Sequence, residues 1–225
     1  MTAVAASSTA MAAVASSSTA MAAIFRSSTA MTAVQNNASA WAIFSNASSA
    51  VMGKTVAELA GLNPSGYADM NAVASSSTAM TAVAASSTAM AAIIANSTAL
   101  NAVVSSSAAM SAVAASQTAM TAIAASSTAL SAIAASTTAL DAIYAKKKRM
   151  SGASASLSGK FIILQISNDN AFDTSQYGYA TLSDGSKPNW GSYKDKYAYF
   201  KQYKKIATYM KNDTDSNDWI DYFQC

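Results

Sequence analysis

Two large apolar side chains, three positions apart, recur every ten residues along most of this chain, and the positions between them hold almost nothing but Ala, Ser and Thr. The series opens with Met1 and Val4, Met11 and Val14, Met21 and Ile24, Met31 and Val34, and the aromatic pair Trp41 and Phe44. After a gap it resumes at Met70 and Val73 and runs through Met80, Met90, Leu100, Met110, Met120 and Leu130 to Leu140 and Ile143. Ten residues are not a whole number of helical turns, so one continuous helix would carry this stripe around its circumference and leave no steady face. A flat strand fails too, because residues three apart point to opposite sides of a pleat. A turn must interrupt every repeat.

Two architectures meet that condition. In the favoured one, each decapeptide is a short helix with Ser or Thr capping its start and with Met at i, Val or Ile at i+3 and Ala at i+4 on one face. The Ala and Met content suits it. In the alternative, each decapeptide is a coil of a β-solenoid with a corner between Met and Val. The Ser, Thr and β-branched residues accommodate that form and the abundant Ala opposes it. In either form, one Met and one Val do not offset the entropy of ordering ten residues. Stability is therefore expected from stacked neighbours and from several identical chains wrapped together, a homo-oligomer with a trimer favoured.

The pattern divides the chain into a decapeptide-repeat shaft at 1–44, a joint with a short helix at 45–69, a second shaft at 70–145, a linker at 146–159 and a C-terminal domain at 160–225. In the joint, "MGKTVAELAGLNPSGYADM" at 52–70 predicts a helix over Lys54 to Leu62 and a turn at "NPSG". It reads as a registration point between two stretches of array rather than as a binding site. The C-terminal domain reads as small α+β or mainly β. "KFIILQIS" at 160–167 is a strand, "YGYATLSDGSK" at 177–187 suggests a hairpin on its Asp-Gly turn, and 193–211 fits an amphipathic helix or a strand pair.

Composition changes near Tyr144. Before it only Arg26, Lys54, Glu58, Asp69 and Asp141 are charged; after it comes "KKKR" at 146–149 and a tract rich in Tyr, Lys, Asn and Asp. The basic excess thus sits in the last third among interleaved acids, which offers nucleic acid no coherent surface. Ser or Thr breaks every apolar run well short of a membrane span, so a soluble chain with no membrane insertion is expected. No basic stretch followed by an apolar run opens the sequence, so no signal peptide is expected, and Met1, itself at a repeat position, suggests a start inside a longer array.

Candidate chemistry is sparse. The chain has no His and a single cysteine, Cys225, which removes the usual general base, the commonest zinc ligand and any internal disulfide. "DTDSND", Asp213 to Asp218, opens like a calcium loop but has Asp218 where the loop needs Gly and Gln224 where it needs Glu, so a solvated acidic turn is the preferred reading. The same two aspartates are the best available carboxylate pair, and nucleophile elbows, phosphate loops and zinc spacings are absent. No enzyme, cofactor or metal is expected. Lys146, Lys147, Lys148 and Arg149 read as a hydrated junction before a contact for anionic polymer. Amphipathic aromatics supply rigid contact area. Tyr177, Tyr179, Trp190 and Tyr193 are accordingly the candidate binding residues, with Tyr197, Tyr199 and Tyr203 nearby.

The phrase "SSTAMTAVAASSTAM", with joints such as "AELAGLNPSGYADMNAV", resembles the decapeptide arrays of tail fibre and related fibrous virion proteins of bacteriophages, particularly those infecting Gram-positive, low-GC hosts. The resemblance covers about two thirds of the chain. It implies a structural subunit located in the virion, on a tail or another extracellular appendage. The array would be a shaft and the terminal domain the end that attaches to a bacterial surface glycan or protein. The alternative is a baseplate, collar or head-decoration fibre whose terminal domain binds another virion protein. An ice-binding solenoid is a third reading, weaker because Thr appears singly in most repeats.

Overall fold

The computed structural model describes residues 1–171, 178–187, 192–196, 206–212 and 218–224, with backbone alone at 168–171 and 192–196. The described residues form two compact units, Met1–Ser126 and Ser127–Cys225.

The first unit is helical throughout: α1 (Thr2–Ala5), α2 (Ser8–Ala15), α3 (Ser18–Arg26), α4 (Ser28–Gln35), α5 (Ala38–Ser45), α6 (Ser49–Leu59), a 3-10 turn at Pro64–Gly66, α7 (Met70–Ser75), α8 (Ser77–Ala85), α9 (Ser87–Ala95), α10 (Ser97–Val104), α11 (Ser107–Ala115) and α12 (Gln117–Ala124). The β-solenoid alternative is therefore incorrect. Alanine's helix preference outweighs the β-branched positions, and the corner falls at the serines instead of between Met and Val.

At several corners one residue makes the whole turn. Ser76 is extended, at φ −93° and ψ 108°; it ends α7 and caps α8 by accepting from the Ala79 N–H at 3.2 Å. The same arrangement recurs at Ser27, Ser86 and Ser116, whereas between α10 and α11 Ser105 ends one helix and Ser106 caps the next. Behind each cap the helix buries one face, Ala79, Met80, Val83 and Ala84 in α8, which is the i, i+1, i+4, i+5 spacing of a single stripe. Successive helices turn sharply, by 102° between α8 and α9 and 92° between α10 and α11. Three such turns bring the chain nearly back to its heading. Third-neighbour packing accordingly recurs on both sides of the joint: α1 on α4, α2 on α5, α3 on α6, α6 on α9, α7 on α10, α8 on α11 and α9 on α12.

The joint keeps this order with a longer helix. The helix α6 starts at Ser49, five residues before the expected Lys54, and packs on both α3 and α9. Gly53 makes it possible, because a Cβ there would lie 2.3 Å from the Asp69 carbonyl carbon. Arg26 closes the far end, donating from Nη1 to Glu58 Oε1 at 2.9 Å and from Nη2 to the Glu58 carbonyl at 3.0 Å. Buried Asn96 donates through Nδ2 to the carbonyls of Ser45 and Ala47, both at 2.9 Å, while its Oδ1 caps α10. The segment thus serves as an internal packing element.

The second unit begins with α13 (Ser127–Ala135) and α14 (Thr137–Tyr144) and continues into an antiparallel sheet. Its strands are β1 (Lys148–Ser151), β2 (Ser156–Ala171), β3 (Tyr179–Leu182), β4 (Ser192–Lys196), β5 (Ala207–Lys211) and β6 (Trp219–Gln224), in the order β1-β6-β2-β5-β3 with β4 also on β2. The apolar run of β2 (Phe161, Ile162, Ile163, Leu164 and Ile166) is its buried centre. Three features differ from the sequence reading or refine it. Residues 148–151, within the stretch expected as a linker, are a sheet strand paired with β6. The Asp184–Gly185 turn forms, yet β3 pairs with β5. Within 193–211, residues 193–196 and 207–211 are in strands, and 197–205 lie outside the described residues.

Candidate binding face of the C-terminal unit

The register of β2, β5 and β3 sorts side chains onto two faces. Opposite residues in antiparallel strands share a face, and so do residues two apart along a strand. Leu157, Met210 and Ala180 form one row, with Ala207 and Leu182 on the same side, and all but Leu157 are fully buried. On the other side, Ser156 and Ser158 of β2 stand beside Lys211 and Tyr209 of β5, which stand beside Tyr179 and Thr181 of β3. These are exposed or half-buried. The Tyr179 and Tyr209 rings lie diagonally across the strand pair with centroids 5.5 Å apart, and Lys187 Nζ sits 5.1 Å from the Tyr179 centroid. Burial raises the Tyr179 hydroxyl above the ordinary 10.0, and the neighbouring Tyr209 adds to the effect by charge and by hydrogen bonding. It is a neutral hydrogen-bonding group at physiological pH.

Of the four candidate binding residues, the structure places only Tyr179 on this face. Tyr193 lies on β4 with its backbone alone described, and Tyr177 and Trp190 lie outside the described residues, as do Tyr197, Tyr199 and Tyr203. Sequence reading missed Tyr209, whose position beside Tyr179 depends on pairing between strands far apart in the chain.

Three of the four residues of the basic run, Lys147, Lys148 and Arg149, make contacts inside the unit. Arg149 donates from Nε and Nη2 to Asp221 at 2.6 and 2.8 Å, and its guanidinium lies 3.6 Å from the Trp219 ring centroid. Asp221 is fully buried, with its Oδ2 3.4 Å from the Tyr144 hydroxyl, which donates to Gln165 Oε1 at 2.5 Å. Lys147 Nζ sits over the Tyr144 ring and Lys148 donates to Gln224. These groups lock the end of α14 to β1, β2 and β6.

The acidic candidate falls mostly outside the described residues, which include Asp218 but not 213–217. Asp218 is buried, and its carbonyl accepts from Asn212 Nδ2 at 2.6 Å. Among the described residues, no three His, Cys, Asp or Glu side chains converge, and no single helix is long and apolar enough to cross a membrane. No family model matches the chain, and no curated protein matches it either.

Proposed function

We propose that the chain is a structural fibre subunit of a bacteriophage virion, its decapeptide array a solenoid shaft and its C-terminal unit the end that contacts the host surface. The observation that carries this reading is the third-neighbour packing that recurs among α1 to α12. Stacking of near-identical helices extends a chain by a fixed increment per three repeats and offers few distinctive groups outside. Specific contact then falls to the unit that combines aromatics, mixed charge and loops. The single Thr in most repeats argues against ice binding, since Thr78 and Thr88 belong to successive helices turned 102° apart.

The oligomer enters the proposal on a changed footing. Met80, Met90 and Met110 are buried within one chain, so third-neighbour stacking supplies what wrapping by further copies was expected to supply. Sedimentation separates the two cases: a folded monomer agrees with a single-chain shaft, and a stable trimer restores the multi-chain one.

The functional test compares the full chain with a variant lacking the C-terminal unit for binding to candidate Gram-positive host cells and to purified phage particles. Cell binding that requires the C-terminal unit supports the reading. Binding only to phage particles transfers the assignment to an internal virion component, and binding by the array alone overturns the placement of the working end.

A further inference from the structure

The outward face of β2, β5 and β3 differs from every surface of the array. It carries two tyrosine rings in contact, Tyr179 and Tyr209, flanked by the hydroxyls of Ser158 and Thr181 and by the ammonium groups of Lys187 and Lys211. Neither lysine makes an ion pair among the described residues. Asp184, close to Lys187 in the chain, accepts through Oδ1 from the backbone and hydroxyl of Ser186, and Asp218, which follows Lys211, is buried. The strands beneath are fixed by the buried row of Ala180, Leu182 and Met210, so the face is held by a packed layer rather than by a loop.

We propose that this face binds an anionic polysaccharide, an inference that rests on reading the C-terminal unit as the contact end. The chemistry assigns each part. The tyrosine rings offer flat apolar surface against which the C–H faces of a sugar stack, with hydroxyls at their rims. Ser158 and Thr181 can donate to and accept from sugar hydroxyls. Lys187, 5.1 Å from the Tyr179 ring centroid, and Lys211, opposite Tyr179 in the strand register, complement carboxylate or phosphate groups spaced along the chain. Two lysines are too few for the many-phosphate footprint of nucleic acid, and a protein partner would favour a more apolar centre than two half-buried tyrosines.

Affinity electrophoresis of the full chain through gels containing polygalacturonate, alginate, neutral dextran or polyglutamate tests this. Retardation is expected in polygalacturonate and alginate and not in dextran or polyglutamate, and it should weaken as salt screens the lysines. Tyr209→Ala and the double variant Lys187→Gln/Lys211→Gln should each weaken the apparent Kd by about tenfold or more. Tyr209→Phe, which keeps the ring, should retain most of the binding and separates loss of contact from loss of fold. The proposal is overturned by no retardation in either anionic polysaccharide, by equal retardation in dextran or polyglutamate, or by variants that bind like the parent. If the parent still binds host cells in those cases, the face is wrong while the contact-end reading stands; if it binds neither, both fall.

Discussion

The hydroxyl of Ser106 donates to the carbonyl of Ala74, thirty-two residues earlier, at 2.6 Å while its oxygen accepts from the Ala109 N–H at 3.2 Å. Ser116 repeats this with Ala84 and Ala119, and Ser86 with Leu59 and Ala89. The last carbonyls of a helix have no partner of their own, so each of these three serines satisfies an orphan donor in its own helix and an orphan acceptor in the packing layer before it. A hydroxyl can do both; a methyl can do neither.

Substitution at Ser106 separates the two roles. Ser106→Ala should cost about 2 to 4 kcal/mol, combining a lost cap with a stranded carbonyl. Ser106→Asp keeps the cap but sets a carboxylate against the carbonyl, so it should be destabilised as well. Ser106→Asn should stay within about 1 kcal/mol of the parent, because an amide can cap and donate at once, as Asn96 does. Urea denaturation followed by far-UV circular dichroism measures all three. A Ser106→Asp variant as stable as the parent would remove the interlayer bond from the account.

Gly53→Ala should destabilise the first unit by about 3 kcal/mol or more, because the added Cβ meets the Asp69 and Met70 backbone at 2.3 to 2.7 Å, where no flexible side chain can yield. Gly66→Ala, with nothing within 4 Å of the added carbon, should leave the melting temperature nearly unchanged. Equal melting of both variants with the parent would show that α6 does not approach α7 this closely.

The Arg149–Asp221 pair should respond asymmetrically. Arg149 keeps 45% of its side chain exposed and Asp221 keeps none. Arg149→Met strands a buried carboxylate and should cost about 3 kcal/mol, whereas Asp221→Asn leaves a guanidinium that water can reach and should cost about half as much. Hydrogen exchange of the β1 and β6 amides reports both losses locally. The reverse ranking would contradict the burial of Asp221.

Burial raises the hydroxyl of Tyr222 above 10.0, as it does that of Tyr179. The unfolded chain releases these protons first, so their contribution is fully present below about pH 10 and is lost as pH rises through the higher folded values. Stability should therefore fall above pH 10, and Tyr222→Phe should flatten that fall. An unchanged slope in the variant would mean that Tyr222 ionises as easily folded as unfolded.

Much of the array was legible because its rules are local. Cap serine, Met four residues on and Val three beyond it set a helix, its start and its buried face, all within one decapeptide. The number of helices per circuit was not legible, since it depends on the turn made by one extended residue such as Ser76, and spacing carries no angle. The span of α6 was misjudged because its N-cap, Ser48, sits among other serines and alanines that gave no contrast. In the C-terminal unit, "FIIL" announced β2, but the partnership of Tyr179 with Tyr209 and of Arg149 with Asp221 spans 30 and 72 residues and follows from strand order alone.

The central claim is that three decapeptides make one packing layer, and inserted repeats measure it. Adding thirty residues of consensus repeat within 77–126, and then sixty, should lengthen the particle by about 10 Å per thirty residues, the separation of packed helices. Ten-residue β coils would add about 14 Å and a continuous helix about 45 Å over the same stretch. Small-angle X-ray scattering of the parent and both insertion variants gives the increment directly. A step near 10 Å at each insertion is the predicted result; a step near 45 Å, or none, would contradict the account.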